Sequence, residues 1–140
     1  MTKVIVGRPP NFEAIKEVFP LAERATTIFA YDPHIYVSSP IVILPPALMK
    51  HENVHIRRQK EMGVEILWRK YLNDKDFRYE EELLAHIAEY KEMVAKETTR
   101  QARRRYLYTV GKRLAAPLYK FNITIDKAMK DIQSGAKIAE

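Results

Sequence analysis

The chain has 140 residues, no cysteine, and 24 Lys and Arg against 18 Asp and Glu, a net charge of +6. That length is enough for one domain with a buried core, and the missing cysteine excludes disulfides, thiolate metal sites and cysteine nucleophiles together. No run approaches the roughly 18 apolar residues of a membrane span, and residues 1–12 do not have the pattern of a signal peptide.

Proline and most β-like sequence crowd the first third, and helix formers fill the rest. Val4–Val6 reads as a short strand, stopped by Gly7 and Arg8-Pro9-Pro10. Asn11 is placed to N-cap a helix over residues 12–19, where Ile15, Val18 and Phe19 fall at helical spacing. Residues 26–31 and 34–37 are β-rich runs joined by a tight turn at Asp32-Pro33, and residues 41–44 suggest a third extended piece. Pro45-Pro46 then opens a helix, because proline suits a first turn whose N–H has no intrahelical partner. This helix should run over Pro46–Met62 and end at Gly63. A second helix covers residues 64–72, and residues 73–76 form the loop after it. A long helix is expected from about Phe77 past Arg105 towards Ala115, bending or breaking near Gly111 and ended by Pro117. A last helix spans residues 125–132, capped by Thr124 or Asp126. There is no internal repeat and no linker, so the expected fold is α+β: a single, mostly helical domain over residues 1–140 with a small N-terminal β-hairpin or sheet.

His51-Glu52-Asn53-Val54-His55 forms HExxH inside the helix that starts at Pro46. Residues four apart share a helix face, so both imidazoles can reach one ion. Glu52, next to the first ligand, is placed to deprotonate a metal-bound water. Two of only four histidines fall in this motif. Shuffled sequences of this composition would produce it about once in a hundred.

With no cysteine, the ion would be zinc on His and carboxylate ligands, and a catalytic site needs a third one. Glu80, Glu81 and Glu82 open the long helix 25 to 27 residues past His55. Glu82 shares a stripe with Ala85, His86 and Glu89, and the small Ala85 allows close helix approach. Glu82 is therefore chosen as third ligand, with Glu81 and Glu89 as alternatives. His86 is a candidate catalytic group, able to support an oxyanion, and equally a satisfied core or surface histidine. Gln59 lies on the ligand face, and His34 reads as a solvated turn residue.

These residues bring a resemblance with them. Gly7-Arg8-Pro9-Pro10-Asn11-Phe12-Glu13, Phe19-Pro20, Ile28-Phe29-Ala30-Tyr31 and Leu44-Pro45-Pro46 carry its first part. The HExxH with Arg57-Arg58-Gln59, Trp68, Tyr71, Glu82-Leu83-Leu84-Ala85, Ala116-Pro117-Leu118-Tyr119 and Ile123-Thr124 complete it. Over most of its length the chain resembles small phage- and prophage-encoded HExxH metallopeptidases of the zincin group with a glutamate third ligand. The resemblance implies a zincin-like fold, zinc, a peptide or protein substrate, and a setting in host cytoplasm or virion. Proteins of this kind often carry Tyr after the Glu-x-x-Ala, where this chain has His86, which leaves the oxyanion-stabilising group open.

Two rivals stand beside this reading. A non-enzymatic, zinc-stabilised phage structural or partner-binding protein would close the metal site with a fourth protein ligand. A nucleic-acid-binding helical protein would use Arg100, Arg103, Arg104 and Arg105 with Tyr106 and Tyr108, although such a run is more often a solvated surface. The aromatics Trp68, Tyr71, Phe77 and Tyr79 more often close a core or lid than form a substrate box. Oligomeric state has no signature in the sequence.

Overall fold

A computed structural model describes residues 1–24, 26–96 and 99–137. Among the described residues, three short strands and six α-helices make an α+β, mostly helical fold. β1 (Val4–Val6) lies parallel to β3 (His34–Val37), and β2 (Phe29–Tyr31) pairs antiparallel on the other side of β3. The β2–β3 hairpin turns at a cis Asp32–Pro33 bond. β3 alternates in burial, with Ile35 and Val37 inward, as a strand with one covered face should. The third strand is therefore β1; residues 41–44 form no strand, and Ile41 and Ile43 are exposed.

α1 (Phe12–Val18) leads through a 3₁₀ turn at Pro20–Glu23 into the hairpin. Asn11 precedes α1 but does not cap it: its side chain makes no cap bond, and its amide atoms are buried without a partner. α2 (Pro46–Met62) begins and ends as the Pro-Pro and Gly signals require. Gly63 sits at φ +99°, a conformation side-chain-bearing residues rarely adopt, and this lets α3 (Val64–Asn73) start at once. The loop expected over residues 73–76 shrinks to Asp74. Its carboxylate accepts from the Phe77 N–H at 3.1 Å, so Lys75 and Asp76 already belong to α4 (Lys75–Val94).

The uninterrupted helix expected from Phe77 past Arg105 is two helices. α4 ends at Val94, and α5 (Arg100–Leu114) restarts where Thr99 Oγ1 accepts from the Ala102 N–H at 3.2 Å. A threonine side chain that satisfies an orphan N–H can begin a helix as readily as lie within one. The helix does not break at Gly111. A Cβ there would stand 2.7 Å from the Met129 side chain, so Gly111 permits close contact with α6 (Ile125–Ala136). Thr124 caps α6 by accepting from the Lys127 N–H at 3.1 Å, and α6 runs to Ala136 rather than Ile132.

α4 is shared by two interfaces. One side packs on α5 and α6 through an apolar cluster that includes Val94, Leu107, Val110, Leu114 and Ile132. The other packs on α2, which also touches β2 and α3. A second apolar cluster, with Ile15, Phe19, Phe29, Leu67 and Tyr71, joins α1, the hairpin and α3 beside that α2–α4 seam.

Candidate metal centre

The α2–α4 seam buries an unusual amount of charge. His51, Glu52, His55 and Gln59 of α2 and Arg78, Glu81, Glu82, His86 and Glu89 of α4 are all buried. The helices run antiparallel, because His51 meets Glu89 while His55, one turn later, meets Glu81. Ala85, fully buried among these α4 residues, offers only a methyl group at the seam.

Each motif histidine is held by its Nδ1. His51 Nδ1 donates to Glu89 at 2.9 Å and His55 Nδ1 to Glu81 at 2.9 Å. A carboxylate accepts and does not donate, so a proton lies on Nδ1, and the lone pair of the neutral ring is on Nε2. Both acceptors are braced in turn: Arg58 donates to Glu81 at 2.5 Å, and Arg113 of α5 pairs with Glu89. Two parallel chains of arginine, glutamate and histidine thus orient the two imidazoles. Glu81 and Glu89, the alternative ligands in the sequence, face the back of the rings.

The Nε2 atoms face Glu82. His51 Nε2 lies 3.6 Å from Glu82 Oε1 and His55 Nε2 lies 3.4 Å from Glu82 Oε2. These distances exceed a normal hydrogen bond. They are close to the roughly 3.3–3.6 Å between two donors on one tetrahedral ion whose bonds are about 2.0–2.2 Å. Tyr71 donates to Glu82 Oε2 at 2.6 Å, whereas Oε1 is buried with no hydrogen-bond partner. An orphaned carboxylate oxygen among imidazole nitrogens is costly unless a cation meets it. The residues fit a divalent metal.

The protonation tendencies agree. Burial alone would raise Glu82, but the His55 and His51 imidazoles outweigh it and hold the carboxyl well below its usual range. Burial alone would lower His55, yet Glu82 and the Glu81 hydrogen bond outweigh it and raise the ring well above the ordinary imidazole value. Without a metal, the acidic pocket draws a proton as its cation.

Glu52 sits at the rim of this group, its Oε2 3.8 Å from His51 Nε2. Desolvation raises its pKa against the lowering effect of the nearby histidines. A cleft opens over His51, Glu52, His55 and Glu82, walled by apolar residues including Phe19, Leu67 and Trp68.

His86 is not brought to that cleft. It is 1% exposed, packs its ring edge on His51 at 4.6 Å between centroids, and is absent from the cleft lining. Burial, with the His51 charge behind it, lowers its pKa to about 3, so the ring is neutral. Two groups have ligand atoms close enough together to hold an ion: His51, Glu52 and His55, and His51, Glu82 and His86. His86 Nδ1 stands 2.6 Å from the Glu82 main-chain oxygen, an acceptor only, so that nitrogen carries the ring's proton and the lone pair of the neutral ring lies on Nε2. Tyr119, from the 3₁₀ turn at Pro117–Tyr119, does line the cleft. Burial, then the Glu82 and Glu52 charges, raises its pKa well above 10, so it stays a donor. Sequence reasoning gave Tyr119 no role, because it approaches from a segment far from the motif.

Gln59 faces away from the ligands' centre. Its amide nitrogen donates to the Ala30 oxygen at 2.9 Å, and its oxygen accepts from the Asp32 N–H at 2.7 Å. Trp68 Nε1 donates to the same Ala30 oxygen at 3.1 Å. Together they occupy the β2 edge at Ala30 and Asp32 and tie the hairpin to α2 and α3. His34 lies partly exposed at the start of β3, 3.3 Å from the Lys3 N–H.

Set against known proteins, the chain matches no family model, no curated protein and no solved structure. Among the described residues, no helix is long and apolar enough to cross a membrane.

Proposed function

We propose that the chain is a zinc-dependent metallopeptidase. The observation that carries this reading is that the Nε2 atoms of His51 and His55 face the two oxygens of the one Glu82 carboxylate at 3.6 and 3.4 Å, one of those oxygens without a hydrogen-bond partner, beside Glu52 and under an open cleft. The sequence resemblance to HExxH phage metallopeptidases points the same way. His51, His55 and Glu82 would hold the ion. Zinc bound by such a set supplies Lewis acidity, polarising a peptide carbonyl and making water more acidic.

The remaining work falls to the chain's own side chains. Glu52 accepts a proton from the attacking water and returns it to the leaving amine. Tyr119, protonated throughout, donates a hydrogen bond to the oxygen that gains charge as the carbonyl is attacked. Phe19, Leu67 and Trp68 exclude water and favour an apolar side chain next to the scissile bond. The β2 edge can align a substrate main chain only upstream of Ala30, since Gln59 and Trp68 fill the Ala30 and Asp32 positions. The closed, structural alternative needs a fourth protein ligand, for which Glu52 and His86 are the neighbouring candidates.

Glu52→Gln separates enzyme from scaffold. The amide is nearly isosteric and is no ligand, so the variant should keep zinc and fold. Cleavage of a broad set of unstructured peptides should drop by about 10²–10⁴. Equal cleavage by parent and variant would overturn the assignment of Glu52.

A further inference from the structure

α5 differs from every other helix of the chain in charge. It carries Arg100, Arg103, Arg104, Arg105, Lys112 and Arg113 and no acidic residue. The other 18 Lys and Arg are matched by 18 Asp and Glu, so the net charge of +6 equals the charge of this one helix. Four of the six cations sit in its first six residues, at the end where the helix dipole favours anions. That placement opposes helix stability, so stability does not explain it.

The helix has a clear inside and outside. Ala102, Leu107, Val110 and Leu114 face the apolar cluster with α4 and α6, and Arg113 turns inward to Glu89. The exposed residues are Arg100, Gln101, Arg104, Arg105, Tyr108, Thr109 and Lys112. At 100° per residue they fill one half of the helix surface, with Tyr108 at its middle and Arg104 and Lys112 one turn to either side. Tyr108 is 48% exposed, a large aromatic left in solvent at the centre of a cationic stripe.

We propose that this face of α5 binds single-stranded nucleic acid, with Arg105 and Lys112 against phosphates and Tyr108 stacked on a base. A cationic groove or face with an aromatic platform is the combination that unpaired strands require. From Arg104 to Lys112 the stripe is about 12 Å long, enough for a short run of nucleotides. A duplex would satisfy the charges but give Tyr108 no unpaired base. A membrane would need an apolar outer face, and the apolar side of α5 is already spent on the core. An acidic peptide would leave the ring without a flat partner. The inference does not depend on the metal centre, because Arg105, Tyr108 and Lys112 are on the exposed face of α5 and take no part in the α2–α4 seam.

The test uses the whole chain and a fluorescently labelled mixed-sequence oligonucleotide of 20 nucleotides, read by anisotropy over a salt series. The same strand as a duplex, vesicles containing phosphatidylserine, and poly-glutamate serve as the other ligands. The single strand should bind with a dissociation constant of about 10⁻⁴–10⁻⁶ M near physiological salt. Arg105→Glu with Lys112→Glu should weaken binding at least about tenfold and flatten the salt slope by about 0.7 for each phosphate no longer neutralised. Tyr108→Ala should weaken it by about fivefold or more and leave the slope unchanged. Circular dichroism confirms that the variants fold, and all three positions are exposed. Unchanged binding in either variant overturns the proposal, as does equal or tighter binding of duplex, vesicle or poly-glutamate.

Discussion

The two sides of α4 are built from opposite materials. Towards α5 and α6 it meets Val110, Leu114, Ala128 and Ile132, all fully buried and apolar. Towards α2 it presents Glu81, Glu82, His86 and Glu89, equally buried but ionisable. Burying apolar side chains stabilises a fold by about 1.5–3 kcal/mol each. Buried charges at best break even with apolar residues of the same volume. The apolar side supplies stability, and the polar side holds a site that stability alone would not select.

That contrast can be broken first where the effect should be largest. Ile132→Ala removes a fully buried side chain from the apolar seam and should cost about 2–5 kcal/mol in chemical denaturation. Metal affinity of the folded fraction should not change. A loss below about 1 kcal/mol would mean that the α5–α6 side is not what holds α4 in place.

Glu81→Gln acts on the other seam. It keeps an acceptor for His55 Nδ1 but removes the charge that Arg58 braces. Zinc affinity, measured by competition with a chelating indicator, should fall about 10–100-fold. The midpoint of metal-free unfolding should move less than in Ile132→Ala, because Arg58 is part-exposed and can turn to water. Unchanged zinc affinity would remove the orienting role given to the arginine–glutamate–histidine chains.

The smallest effect belongs to the surface of the apolar half. Tyr79 donates to Asp131 at 2.5 Å, and Lys127 bonds the same carboxylate. Burial alone would raise Asp131, but these two partners outweigh it and lower its pKa below the ordinary value. A carboxyl lowered in the fold stabilises above its unfolded pKa, and that contribution disappears as pH falls through the lowered folded value. The pair is largely solvent-screened, so Asp131→Asn should cost under about 1 kcal/mol at neutral pH. Parent and variant should converge in stability as pH falls through the lowered folded value of Asp131.

What the sequence disclosed follows from the same division. α2 was legible end to end because its stops are local: proline at the first turn and glycine at the last. HExxH is a single-helix pattern, so the convergence of His51 and His55 followed from spacing. The choice of Glu82 over Glu81 and Glu89 used helix phase and a small residue at the crossing, and these place Glu82 on the Nε2 side. The roles of Glu81 and Glu89 were not legible, since which acidic neighbour faces ring front or back depends on the tilt of α4. Tyr119 and Arg113 come from segments whose position is set only when α5 folds back, and Thr99 as the restart of a helix looks like any mid-helix threonine. The cover of Gln59 over Ala30 was not legible either, because the two are 29 residues apart and meet only in the folded chain.

X-ray absorption at the zinc edge of the zinc-loaded protein tests the central claim most directly. The expected coordination is two imidazole nitrogens and one carboxylate oxygen from the protein, with bonds of about 2.0–2.2 Å and one further light atom from solvent. His51→Ala and His55→Ala should each remove an imidazole from the spectrum or prevent loading. Three imidazoles around zinc would bring His86 into the site and turn the reading to a closed structural centre. A spectrum without imidazole would remove the metal centre from the α2–α4 seam altogether.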